Sequence, residues 1–197
     1  APEGEQEIFS LDEMIKIWDP ARISKSPAIF DPLKLRAINA AYIRALPAEE
    51  FRKLADPFID QAVHVQIDRD LLCANLQPRC EVLEDIPPQL DFFDAVLPID
   101  AEMYRNKKQK TTPESAKEAL SALLPVLEAQ TDWSRDAIFE ACKQKAEAME
   151  KKNGWLLFPL GIALSGKART PGGGTDLAAM MGKEETLRRL NAAIEAL

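Results

Sequence analysis

Carboxylates are the most numerous reactive side chains in this chain of 197 residues, and two of them at a suitable separation could do acid–base chemistry. Asp56, Asp60, Asp68, Asp70, Glu81, Glu84 and Asp85 fall instead where helix caps and first turns take acids to complement helix dipoles. Nothing marks a catalytic pair among them. No serine stands in a GxSxG setting, and the single histidine, His64, lies in an apolar stretch that suits a packed or surface residue better than a base. The three cysteines, Cys73, Cys80 and Cys142, form no CxxC pair, and with one histidine they assemble no zinc site. They are expected to be buried, reduced thiols, and no metal is expected.

The cations are more informative than the acids. Residues 165–174 read SGKARTPGGG, which places Lys167 and Arg169 ahead of three consecutive glycines. A glycine-rich turn before a helix can cradle phosphate, but this one departs from the GxxxxGK[ST] pattern of nucleotide-binding loops. Spacing alone makes it a flexible surface turn. Two cations, with glycines that let a backbone approach closely, add RNA contact as a second reading. Other basic clusters are Arg105 with Lys107, Lys108 and Lys110; Lys151 with Lys152; and Arg188 with Arg189. The net charge of −7 argues against generic nucleic-acid binding, and DNA is not an expected partner. No aromatic platform for stacking bases is legible.

The elements that must position these groups are helices. Ser10 and Glu13 form a capping box that opens a helix running to about Trp18, and Asp31-Pro32 opens a second. Leu35, Ile38, Tyr42, Ile43 and Leu46 recur there at helical spacing. A helix over residues 48–63 is expected to kink or split at Asp56-Pro57. Residues 68–76 form a short helix broken by Pro78, and residues 105–112 are polar and basic, a loop or helix end. Thr112-Pro113 starts a helix carrying Ala116, Leu120, Leu123, Leu124 and Leu127. Ser134 caps the next, with Ile138, Phe139 and Cys142 inward and Asn153-Gly154 as its stop. Residues 156–165 are apolar on most sides and therefore central; Gly182 separates the last two helices.

Composition agrees with a globular protein: 46% hydrophobic and 29% charged residues. No apolar run approaches the roughly 20 residues that cross a bilayer, and residues 1–6 are polar and acidic, unlike a secretory signal. No membrane association and a cytoplasmic location are expected.

Three blocks name a family. They are EIFSLDEMIKIWDPARISKSPAIFDPLKLRAINAAYIRAL, LQPRCEVLEDIPPQLDFF and the closing stretch from Pro159. Their order and spacing closely resemble the C-terminal anticodon-binding region of bacterial glutamyl-tRNA synthetases, which are class I aminoacyl-tRNA synthetases. The nucleotide-binding HIGH motif and the true KMSKS loop that this family carries earlier are absent. Residues 22–26, Arg-Ile-Ser-Lys-Ser, resemble the tail of that loop, but the family has a separate RxSKSPAxFD segment downstream of it, and a linker is the better reading.

The resemblance implies an all-α fold with two helical subdomains of the class I synthetase anticodon-binding type, residues 1–104 and 105–197. It implies a monomer that grips the anticodon loop of tRNA-Glu. No cofactor is expected in this chain; ATP and magnesium would belong to the missing catalytic domain. The expected RNA-binding residues are Arg79, which matches an arginine near the third anticodon base, and Gly166, Lys167, Arg169, Thr170 and Pro171 in the closing loop. Two positions depart from the family: Gly161, where many members have arginine, and Gly173-Gly174, where many have an apolar pair. Both leave less side chain for an anticodon. A helical protein-interaction module and a stand-alone paralogue acting in trans remain as alternatives.

Overall fold

The computed structural model describes residues 8–22 and 30–197. Among these residues the regular elements are all helices, with no strand and one isolated antiparallel bridge, Asn106 to Thr111. No helix among the described residues is long and apolar enough to cross a membrane.

The first half is built from short helices. In α1 (Leu11–Ile17) the Ser10 hydroxyl accepts from the Glu13 N–H at 3.2 Å, and the Glu13 carboxylate accepts from the Ser10 N–H at 2.7 Å. This is the expected capping box. Residues 23–26 of the Arg-Ile-Ser-Lys-Ser segment lie outside the described residues, as do residues 1–6. α2 (Pro32–Ala45) starts where Asp31 accepts from Leu33 and Lys34. Its apolar face is buried only at Ala40 and Ile43, while Leu35 and Tyr42 are exposed.

α3 (Ala48–Ile59) buries Phe51, Ala55 and Ile59, and α4 (Arg69–Leu76) packs against it. α3 is not split at Pro57: the ring falls in the last turn, where the helix ends within two residues. His64 therefore lies beyond α3. It is a surface residue whose Nδ1 stands 2.5 Å from Asp94 Oδ2. Prolines then cut the chain into 3₁₀ turns at Gln77–Arg79, Leu83–Asp85, Pro87–Gln89 and Ala101–Tyr104.

The second half is a bundle of α5 (Pro113–Ala129), α6 (Arg135–Ala148), α7 (Asn153–Ser165), α8 (Gly174–Met181) and α9 (Lys183–Ala196). Residues 105–112 form the expected loop, closed by Asn106 and Thr111, which exchange backbone bonds of 3.0 and 3.1 Å. Two sequence expectations change here. Asn153-Gly154 begins α7 instead of ending α6, which stops at Ala148 just before Glu150 at φ 54°. Phe139 is only half-buried, with the Arg135 guanidinium over its ring at 5.3 Å.

α7 is central, as its composition requires, and packs against α5, α6, α8 and α9. An element that is apolar on all sides is buried on all sides. One continuous set of buried residues runs from Ile43 to Ala193. Across it, Arg189 of α9 is buried with a fully covered side chain. It donates to the carbonyls of Phe92, Leu164 and Phe93, each at 2.7 Å, and pairs with Glu185. A buried guanidinium is tolerated only with partners of this kind. Arg189, one of a basic pair in the sequence, is a structural pin between the 90–93 segment and the end of α7.

Candidate nucleic-acid interface

Residues far apart in sequence meet at a cleft of about 650 Å³ beside α7. One wall is the turn that carries Arg79. The other is the loop between α7 and α8, and the floor is α7 itself through Leu157, Phe158, Gly161 and Ile162.

The Arg79 wall is rigid in its backbone and free in its side chain. Gln77, the first residue of that turn, donates its Nε2 to the carbonyls of Ile43, in the last turn of α2, at 3.0 Å and of Leu46, just beyond it, at 2.8 Å. On the other side of Arg79, Cys80 is buried, and Arg36 of α2 pairs with Glu81 at 2.9 Å and with Asp85. Burial, reinforced by Asp85 and Glu84, pushes the Cys80 thiol up to about 11, so it is a neutral packing group and not a nucleophile. Arg79 itself is exposed, and no hydrogen bond or ion pair engages its guanidinium among the described residues.

The loop wall is fixed at both ends. Gly166 terminates α7 at φ 69°, a left-handed conformation that glycine adopts without penalty. A Cβ there would lie 2.6 Å from the carbonyl oxygen of Leu97. The Ser165 hydroxyl accepts from the Lys167 N–H at 3.0 Å and donates to the Gly161 carbonyl at 2.7 Å. At the exit, Asp176 accepts from the Gly173 N–H at 2.7 Å and pairs with Arg135 of α6 at 3.0 Å. The loop is thus a held turn, not the flexible one that its glycines suggest.

Of the six residues expected from sequence, Arg79, Lys167, Arg169 and Thr170 line the cleft. Gly166 and Pro171 are buried beneath it and shape the loop. Arg169 is exposed and, like Arg79, unpaired among the described residues. Lys167 differs: its Nζ donates to the Pro88 carbonyl at 2.8 Å and pairs with Asp91, which ties the loop to the opposite wall. Thr170 spends its hydroxyl proton on the Gly172 carbonyl at 2.5 Å.

Gln89, Leu157 and Phe158 also line the cleft, and sequence reasoning missed them. Phe158 supplies an aromatic ring, half-buried, at a position where none was expected. α7 is apolar all round, so periodicity gives no sign of which side chain faces a cleft. Gln89 carries no charge and sits after two prolines, where it reads as an ordinary turn residue.

The cleft presents unpaired guanidinium donors, a half-exposed ring and a glycine loop that admits close approach. Those are the parts that bind an unpaired nucleotide strand. A family model described as an anticodon binding domain matches residues 39–194. The chain belongs to the anticodon-binding domain family. It is 42% identical over 196 residues to the glutamate–tRNA ligase of Clostridium botulinum strain Hall and 41% identical to that of Clostridium tetani. Both alignments cover all of the chain, which spans 40% of the length of these curated relatives. The crystal structure of a glutamate tRNA ligase from Elizabethkingia meningosepticum superposes with a TM-score of 0.83 at 28% identity, over 98% of this chain and 38% of that one. A second from Elizabethkingia anophelis gives 0.75 at 26% identity, over 96% and 37%. This anticodon-binding domain therefore resembles that of glutamate–tRNA ligases, and it is all-α as expected among the described residues.

Proposed function

We propose that this domain reads the anticodon loop of tRNA-Glu on behalf of a longer glutamate–tRNA ligase, and that it performs no chemistry itself. The observation that carries the reading is the meeting of Arg79 with Arg169 and the 166–174 loop in one cleft. Cations scattered over different faces would have favoured a protein-interaction module; here they converge.

Guanidinium offers donors only, so Arg79 suits the O2 and N3 acceptors of a cytosine. Guanine presents the N1–H and N2–H donors on the same edge and would meet a cation with no acceptor to offer. Arg79 accordingly favours tRNA-Glu, whose third anticodon base is cytosine, over tRNA-Gln, whose third base is guanine. The bases of a loop expose these edges, whereas paired bases hide them. Arg169 meets phosphate, Phe158 offers a face to a base, and Gly166, Thr170 and Pro171 shape the loop that approaches the strand. Lys167 enters as a strut. The ATP and magnesium of glutamate activation belong to residues outside this chain. The chain acts as a monomer in the cytoplasm, and its two-part organisation divides near residue 105.

A titration of the 197-residue chain with tRNA-Glu and tRNA-Gln across a salt series tests this reading. Binding should weaken with salt, and Arg79→Ala should lower the preference for tRNA-Glu more than it lowers total binding. Absent or salt-insensitive binding, or equal loss for both tRNAs, would overturn the role given to Arg79.

A further inference from the structure

We propose that Gln89 reads the same anticodon base as Arg79, accepting the exocyclic amino group of cytosine at its Oε1. The inference rests on the reading that Arg79 meets this base, and it adds the half of the base edge that an arginine cannot read.

Gln89 ends the Pro87–Gln89 turn and lines the cleft together with Arg79. Its Nε2 donates to the Asp85 carbonyl at 2.6 Å. A carbonyl only accepts, so this bond fixes which end of the amide is nitrogen. Oε1 is left as an acceptor without a partner among the described residues. The turn is held from across the cleft, because Lys167 donates to the carbonyl of the preceding Pro88 at 2.8 Å. Gln89 is therefore a positioned acceptor on the same cleft as a free donor.

Cytosine presents one donor, its amino group, followed by the N3 and O2 acceptors. Arg79 supplies donors to the acceptors, and Gln89 supplies an acceptor to the donor. Uracil carries O4 where cytosine carries the amino group, so it would set oxygen against Oε1. Arg79 thus rejects guanine, and Gln89 rejects uracil.

The test uses a tRNA-Glu anticodon stem-loop and the same RNA with pyrimidin-2-one at the third anticodon position. That base lacks the amino group and keeps N3 and O2. The chain should bind the cytosine RNA roughly tenfold more tightly, the effect of one well-placed hydrogen bond and its loss. Gln89→Ala, checked for an unchanged thermal melt, should bind both RNAs equally at the weaker affinity. Equal binding of the two RNAs by the unaltered chain would overturn the proposal, as would a preference that survives in Gln89→Ala. If Arg79→Ala still lowers the preference for cytosine over guanine in that case, Gln89 alone has lost its role. If Arg79→Ala leaves that preference intact, or if neither RNA binds, the underlying reading of Arg79 fails as well.

Discussion

Gly174 and Gly161 form an asymmetric contact between α8 and α7. A Cβ on Gly174 would stand 2.9 Å from the Gly161 backbone nitrogen and 2.8 Å from the Leu157 carbonyl oxygen. A Cβ on Gly161 would find the Gly174 nitrogen at 3.7 Å, an ordinary contact. Glycine at 174 is a packing requirement of this backbone and not simply a missing base contact, whereas glycine at 161 is replaceable. Gly174→Ala should destabilise the chain by about 1–3 kcal/mol, as overpacking against rigid backbone does. Gly161→Ala should be neutral or stabilising by up to about 1 kcal/mol through helix propensity. Urea unfolding of both variants decides it; equal losses would show that the two glycines are packed alike.

Lys167 and Arg169 lie in one loop but should behave oppositely. The Lys167 ammonium is taken up by the Pro88 carbonyl and Asp91, while the Arg169 guanidinium is free among the described residues. Arg169→Gln should flatten the plot of log affinity against log salt by about 0.7, one phosphate contact on a single strand. Lys167→Met should weaken tRNA binding with the slope unchanged, because it loosens the wall that carries Gln89. A slope change for Lys167→Met would make it a direct phosphate ligand.

Acid should act through Glu185. Hydrogen bonds from Arg188 and then Arg189 hold its carboxyl down to about 2, against partial burial that pulls the other way. In the unfolded chain the group titrates near its ordinary value of 4.5. Between these values the unfolded chain binds more protons, so the stabilisation is complete above about pH 4.5 and fades as pH falls toward about 2. Allowing for solvent screening of a partly exposed group, it is on the order of 2 kcal/mol. The stability gap between the unaltered chain and Glu185→Gln should therefore narrow from pH 6 to pH 2.5 in chemical denaturation, and a constant gap would contradict the assignment.

Tyr104 offers a stabilising change. Its ring is buried, its hydroxyl has no hydrogen-bond partner among the described residues, and burial pushes its pKa up to about 12. A buried polar group left unpaired costs about 1–3 kcal/mol. Tyr104→Phe should raise the thermal midpoint; a lower midpoint would reveal a partner, such as an ordered water, for the hydroxyl.

Much of the scaffold was legible because its signals are local. Capping at Ser10, Asp31, Thr112 and Ser134 needs only a side chain and the next three backbone N–H groups, and all four helices begin there. The stops at Gly166 and Gly182 are equally local, since each takes a positive φ. Asn153-Gly154 was misread because a dipeptide that ends helices also tolerates a helix start, and the true break at Glu150 carries no glycine.

The sequence by itself determined the family, the helical class and the two segments that carry Arg79 and Arg169, since these depend on residue order and short-range geometry. Only the tertiary structure decided that the two arginines share a cleft, that Lys167 is tied across it, that Arg189 is buried as a pin, and that Gln89 and Phe158 face inward. The physical reason is reach. A free cation and a paired one look alike along the chain, and what separates them is a carbonyl or carboxylate that arrives only when distant segments pack.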